Sequence, residues 1–279
     1  MKIIKNIPAL RNELKQYRGN KIIGLVPTMG YFHDGHLCLM DRANKEADIV
    51  VVSLYVNPTQ FGPNEDLDVY PRDFERDERL AKEHEVDIIF YPDNVEMYPA
   101  DFKTFVYTED LSRKLCGKSR INHFRGVTTI VAKLFNIIQP DLAVFGQKDH
   151  QQAIILQRMV EDLNIPVKMI IAPIIREKDG LAMSSRNKYL SYQEREEAVI
   201  LSTALQNAKA AVEKGETSAA TVRQQIIDLI STSPLAKIEY VEIVNNKNLN
   251  TVKTITTGTF AAVAVYYGQT RLIDNIILR

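Results

Sequence analysis

The chain has 279 residues, 45% hydrophobic and 25% charged, enough for one large or two modest domains with an ample core and no covalent staples. Its 35 basic residues balance 35 acidic ones, so the total carries no electrostatic footprint for nucleic acid, although local charge can still hold an anion. Two cysteines, Cys38 and Cys116, are too few for a disulfide framework or a cysteine zinc site and read as reduced, small core residues.

Met1-Lys2-Ile3-Ile4-Lys5 lacks the apolar stretch of a signal peptide, and no apolar run approaches the roughly 20 residues that span a bilayer. The expectation is a cytoplasmic protein with no membrane partner. From the N-terminus, residues 22–26 read as a buried strand and 37–47 as the helix after it. A stronger strand is predicted over 48–56, a charged surface helix over 72–85 and a strand over 86–91. Apolar residues at three- and four-residue spacing predict a helix over 127–138, followed by a strand at 142–145, a helix at 149–163 and a strand at 167–175. Strands apolar throughout belong in a parallel sheet covered on both faces, and their alternation with helices implies right-handed βαβ units.

The pattern changes after about residue 176. One long helix is predicted over 192–214, another over 219–230, and strands over 238–244 and 260–267. The expected architecture is α/β: a doubly wound parallel sheet over residues 1–175, and a smaller α+β domain over 176–279.

Parallel sheets bind ligands at the carboxyl ends of their strands, so the loops there are the candidates for chemistry. The loop after the first strong strand contains Pro27-Thr28-Met29-Gly30 and then His33-Asp34-Gly35-His36, a His-x-Gly-His at a helix entry. A helix N-terminus offers unpaired N–H groups and a positive dipole end, which suits phosphate. Gly35 permits close approach of a base or phosphate, and two histidines can donate to oxygens that gain charge as pyrophosphate leaves. The plain alternative is a helix capped by Asp34 beside two incidental histidines. The position of the motif behind a strand favours function.

Three further loops carry weaker signals. Ser184-Ser185-Arg186-Asn187 groups hydroxyls and a guanidinium that can clamp a triphosphate, with Met183 as an apolar contact for a base. A polar inter-domain linker is the alternative. Gly146-Gln147-Lys148-Asp149 places a lysine for phosphate and a carboxylate for a ribose hydroxyl, or simply starts a helix. It is not a P-loop, because the Gly-x4-Gly-Lys spacing is absent. Asn57 and Gln60, after the strongest strand, can fix a small polar molecule through both donor and acceptor groups, or shape a turn with Pro58 and Gly62.

Taken together and in order, with Tyr70-Pro71-Arg72 and His123-Phe124-Arg125-Gly126-Val127 between them, these segments resemble the pantothenate synthetase (pantoate–β-alanine ligase) family over nearly the whole chain. The wider kinship is with nucleotidyltransferases and class I tRNA synthetases. The resemblance implies a Rossmann-like N-terminal domain, a C-terminal lid and a homodimer. It also implies a two-step ligase reaction on small-molecule substrates: ATP with Mg2+ adenylates pantoate, and β-alanine then displaces AMP to give pantothenate.

It assigns the ATP site to Met29, Gly30, Tyr31, Phe32, His33, Asp34, Gly35, His36, Gly146, Gln147, Lys148, Asp149, Ile175, Met183, Ser184, Ser185 and Arg186. His36 is implied as proton donor, with His33 and Lys148 on the phosphates, Asp149 on the ribose and the Ile175 backbone at the adenine. Gln60 is implied for pantoate and β-alanine, Gln152 for pantoate and Asp77 for the Mg2+ environment. The sequence departs from the family pattern at Tyr31-Phe32, at Asp34 where glutamate is usual, and at His150 where an aromatic residue is common. These affect pocket walls and remove no group with a named role. A nucleotidyltransferase that releases its adenylated product, and a non-catalytic nucleotide-binding protein, are the rival readings.

Overall fold

Ile49–Leu54 (IVVVSL) has almost no polar side chain to offer water, and the chain buries it from both sides. The computed structural model, which describes residues 1–63 and 65–279, places this strand in a parallel sheet of six. The strands are β1 (Lys2–Ile4), β2 (Ile23–Thr28), β3 (Ile49–Leu54), β4 (Ile88–Phe90), β5 (Leu142–Gly146) and β6 (Lys168–Ala172), in the spatial order β1-β4-β3-β2-β5-β6. From β2 the chain steps outward through β3 to β4, then returns to the other side of β2 with β5 and β6.

The order reverses between β2 and β5, the switch point where open α/β sheets take ligands. Strand registers sharpen this. β2 pairs with β3 as far as Thr28↔Leu54, but with β5 only to Leu25↔Ala143. Pro27 lies past the last β2–β5 pair, so its missing N–H costs that ladder nothing.

Helices α1 (Ile7–Lys15), α2 (Asp34–Asn44), α3 (Phe74–Glu83), α4 (Asn94–Met97), α5 (Cys116–Ser119), α6 (His123–Ile138) and α7 (His150–Asp162) connect these strands. Side chains of β3 go alternately to two cores. Ile49 and Val51 join Leu10 and Leu14 of α1 with Val127 and Leu134 of α6. Val50 and Val52 join Leu37, Met40 and Ala43 of α2. That period of two is why the strand reads as apolar throughout. Among the described residues no helix is long and apolar enough to cross a membrane.

The chain forms two compact units. Met1–Arg113, Gly117–Gln147 and Ile155–Pro173 make one; Lys114–Cys116, Lys148–Ile154 and Ile174–Arg279 make the other. The two short stretches before residue 175 that group with the second unit have no compositional mark in the sequence. The second unit holds an antiparallel sheet of β7 (Ala236–Asn245), β8 (Thr259–Tyr267) and β9 (Thr270–Ile277). Its core joins Val241, Val263 and Val265 of the sheet to Leu205 and Val222, Ile226 of two helices.

The long helix expected over 192–214 is in fact two, α8 (Tyr192–Glu197) and α9 (Ile200–Glu213), followed by α10 (Ala219–Ile230). Glu197 explains the break. Its carbonyl accepts the Tyr267 hydroxyl at 3.3 Å, and its carboxylate accepts the Leu235 N–H at 3.2 Å, so the residue serves the sheet rather than a continuous helix. Strand β9 was not expected, because buried Asp274 and Asn275 interrupt its apolar pattern.

Candidate active site

The chain between β2 and α2 turns sharply. Gly30 and Tyr31 both take left-handed backbone angles, φ +85° and +53°. Only glycine adopts these without strain, so Tyr31 must be held there by its surroundings. The holder is Asp77, a residue of α3 that is 1% exposed. Its carboxylate accepts the backbone N–H of Tyr31 at 2.6 Å and of Phe32 at 2.7 Å. Burial raises the Asp77 pKa, against the two backbone donors and Arg76, which favour the charged form. The Arg76 guanidinium lies 5.2 Å from the centroid of the Tyr31 ring.

After this turn the two histidines build the start of α2. The cap is His33, not Asp34 as the plain alternative had it; Asp34 is the first helical residue. His33 Nδ1 accepts the Gly35 N–H at 3.1 Å, and His36 Nδ1 reaches back to accept the His33 N–H at 3.4 Å. This is a capping box built from imidazoles. An Nδ1 that accepts cannot carry the proton, so each neutral ring holds it on Nε2. The two ring centroids are 4.1 Å apart. The loop therefore supplies two imidazole N–H donors of fixed tautomer beside a positive helix end. Phe32, assigned to the nucleotide by resemblance, is 0% exposed and packed with the α2 core. With its N–H on Asp77, it anchors the loop, and only its carbonyl remains for a ligand.

Asp77, implied for the Mg2+ environment, here serves the backbone of the turn. Each of its oxygens accepts one backbone N–H, and among the described residues no group of three or more His, Cys, Asp or Glu could hold an ion. The side chains supply no cage for Mg2+, an ion that keeps several waters and leans on substrate phosphates.

The loop after β3 lies against this turn. Gln60 Nε2 donates to Met29 Sδ at 3.1 Å, and its Oε1 accepts Asn57 Nδ2 at the same distance. Asn57 is 1% exposed and also bonds the Gly126 carbonyl at 3.2 Å and the Tyr98 hydroxyl at 2.9 Å. Gly126 is where α6 meets this turn: a Cβ there would sit 2.3 Å from the Thr59 carbonyl oxygen. His123 Nδ1 bonds the Gln60 carbonyl at 2.9 Å while Arg120 approaches its Nε2 at 3.0 Å, the opposite tautomer to the capping pair. Arg120 also pairs with Glu65, Nε to Oε1 at 2.9 Å. Burial opposes ionisation of Glu65, but the Arg120 hydrogen bond and charge outweigh it, and its pKa is lowered. Met29, Gly30, Tyr31, His33, Asp34, Gly35, His36 and Gln60 thus sit on adjoining loops of the first unit. Gly146, the last residue of β5, and Gln147 follow at the far side of the switch point.

The second unit carries the remaining candidates on two segments. Lys148 Nζ lies 3.3 Å from Asp149 Oδ1, and its carbonyl accepts the Asn275 amide at 3.0 Å. Gln152 lies near the start of α7, next to Gln151, which holds the Cys116 N–H at 3.0 Å and the Lys114 carbonyl at 2.7 Å. The other segment is a small hairpin. Met183 N donates to the Ile175 carbonyl at 3.0 Å, and the turn closes at Gly180, φ +101°. One lone pair of Ile175 is therefore already used. Arg176 pins the hairpin base to buried Asp274 by two bonds, of 2.6 and 3.0 Å. Burial raises the Asp274 pKa while Arg176 opposes the rise. Ser184 caps the short turn Ser185–Tyr189 through the Arg186 N–H at 3.3 Å. Asn187 ties this turn back to Glu177 at 2.8 Å, and Arg195 also grips Glu177, at 2.6 Å.

Sequence reasoning missed Asp274, Arg195, Arg120 and the clamping role of Asp77. Each acts on a partner distant in the chain, and no local motif marks them.

A doubly wound parallel sheet, with a histidine-capped helix entry at its switch point, defines a Rossmann-like α/β protein equipped to receive an anionic ligand. The chain belongs to the Pantoate-beta-alanine ligase family, whose pattern it matches over residues 2–277, and it is therefore a ligase. It is 53% identical over 279 residues to the pantothenate synthetase of Acetivibrio thermocellus, covering 100% of this chain and 99% of the relative. The crystal structure of pantothenate synthetase from Thermus thermophilus superposes with TM-score 0.96 at 41% identity, over 100% of this chain and 99% of that one. A pantoate-β-alanine ligase from Francisella tularensis, crystallised with β-γ ATP and β-alanine, gives 0.82 at 32% identity over 100% and 98%.

Proposed function

We propose that this chain joins pantoate to β-alanine with ATP as the activating reagent, releasing AMP and pyrophosphate, and does so in the cytoplasm as a homodimer. The observation that carries the reading is the imidazole capping box at the switch point. In the first step a pantoate carboxylate oxygen attacks the α-phosphorus, an O–P bond forms, and the bond to the bridging oxygen of pyrophosphate breaks. In the second the amine of β-alanine attacks the acyl carbon, the C–O bond to AMP breaks, and the amine loses a proton to water.

The protein's part is positioning and charge stabilisation. His36 and His33 act as donors to the phosphates through Nε2, and Lys148 adds a cation there. Asp149 takes the ribose, Ile175 the adenine, and Met183, Ser184, Ser185 and Arg186 the phosphate chain. Gln60 holds both small substrates through an amide oriented by Asn57 and Met29, and Gln152 holds pantoate. Mg2+ carried on ATP would supply charge neutralisation at the phosphates. The ligands of the Francisella structure, ATP and β-alanine, support extending the same two to this chain.

One coupled assay decides between the readings. AMP release from pantoate, ATP and Mg2+ should require β-alanine. Pyrophosphate release with β-alanine-independent AMP would point to a nucleotidyltransferase, and ATP binding without either product to a non-catalytic protein.

A further inference from the structure

We propose that Asp77 is the positioning residue of the His-x-Gly-His loop, its buried carboxylate holding the backbone of Tyr31 and Phe32 in the turn from which His33 caps α2. The inference rests on the reading of that loop as the nucleotide site and adds a residue that acts through it without touching substrate. Three observations converge. Each carboxylate oxygen accepts one of two consecutive backbone N–H groups, at 2.6 and 2.7 Å. Tyr31 is a non-glycine residue at φ +53°, a strained state that persists only where its surroundings over-determine it. A side chain at Gly30 would press on the clamp: a Cβ would lie 3.0 Å from Asp77 Oδ2 and 3.1 Å from Leu54 Cδ2.

The geometry is a small anion site turned inward. Successive N–H groups of a turn form a concavity that prefers negative charge, and here the protein's own carboxylate occupies it. The N–H groups of residues 31 and 32 are thereby withdrawn from any ligand, and the path of the next residues is fixed. His33 follows directly and must present Nδ1 to Gly35 N–H for the cap to close. Arg76, one residue before Asp77, leans on the Tyr31 ring, so successive residues of α3 hold the same turn. Asparagine at position 77 keeps the shape but turns an N–H2 towards one of the two donors, which opens half of the clamp.

The test combines exchange and kinetics on the full chain. In the wild type, the amides of Tyr31 and Phe32 should exchange slowly, and Asp77→Asn should speed both at least tenfold. The same variant should lower the rate of AMP formation on the order of 100-fold, the scale of a misplacement of about 1 Å in a site. Its half-saturating Mg2+ concentration should stay unchanged, and excess Mg2+ should restore nothing. Fast exchange in the wild type overturns the proposal. So does rescue by Mg2+, which would make Asp77 a metal ligand. If His36→Ala leaves AMP formation intact, the nucleotide reading of the loop fails. If His36→Ala abolishes it while Asp77→Asn loosens both amides at full activity, the positioning role alone fails. Should Asp77→Asn not fold, Gly30→Ala presses on the same carboxylate and should give the same pattern of loosened amides and Mg2+-insensitive loss.

Discussion

His33 does two jobs that chemistry can separate. Its Nδ1 caps α2, and its Nε2–H is the proposed phosphate donor. Asparagine is among the best capping residues but has no group at the distance of Nε2. His33→Asn should therefore keep thermal stability within about 0.5 kcal/mol of wild type, whereas His33→Ala should lose roughly 1 kcal/mol. Both should slow adenylation alike, by about 2.7–4 kcal/mol of barrier if the donor is worth as much as one in an oxyanion hole. A normal single-turnover rate in His33→Asn would leave the residue as a cap only. At this scale the sequence was informative where a residue acts on near neighbours. His33, Gly35 and His36 are adjacent, so their motif could be read. Asp77 reaches its partners 46 and 45 positions away, and only the family resemblance gave it a role, near the metal.

Between elements, the fit depends on close approach and buried polarity. Gly126 lets α6 meet the turn that carries Gln60, where a Cβ would be 2.3 Å from the Thr59 carbonyl. Gly126→Ala should destabilise by about 1–3 kcal/mol through overpacking, lowering Tm by several degrees. It should also raise the KM for the small substrates more than that for ATP. Equal changes in both would dissociate this turn from the substrate slot. At the start of α7, His150 packs edge-on to Phe260, centroids 4.7 Å apart, and donates through Nε2 to Asn246 at 2.6 Å. Its Nδ1 is buried without a hydrogen-bond partner among the described residues.

Burial lowers the His150 pKa, with the Asn246 bond opposing the change. The unfolded chain therefore binds that proton more tightly than the folded one. The resulting stability is complete above the unfolded value of 6.5 and is lost as the pH falls from there to the folded pKa. The slope is at most about 1.4 kcal/mol per pH unit. His150→Phe, with the aromatic ring that the family pattern favours, should remove this acid-side loss in urea titrations at pH 5 and 7. The same difference between the two pH values in both proteins would rule His150 out. The elements themselves were legible wherever one period governed, as in β3 and α6. They failed where polar residues were buried for tertiary reasons. Asp274 and Asn275 hid β9, and the bonds of Glu197 to Tyr267 and Leu235 split a helix that its sequence would have continued.

At the scale of the whole chain, the proposed acyl adenylate would have to be kept from water until β-alanine arrives, which calls for a closing element. The segment 176–187 is the candidate, and its own bonding says how it would respond. Arg176 is pinned to buried Asp274, Met183 N–H to the Ile175 carbonyl, and Asn187 to Glu177. A hairpin braced at base and tip does not close by local unfolding, since breaking the buried ion pair alone would cost on the order of 3–5 kcal/mol. It would move as a piece with its pins intact. With ATP and pantoate bound, amide exchange should slow across 183–187, where Ser184, Ser185 and Arg186 are proposed to meet phosphate. The Met183 amide should stay protected in both states, because its bond belongs to the hairpin and not to the ligand. Loss of Met183 protection on binding would mean that the hairpin melts and refolds, and identical exchange with and without nucleotide would remove the segment from closure altogether.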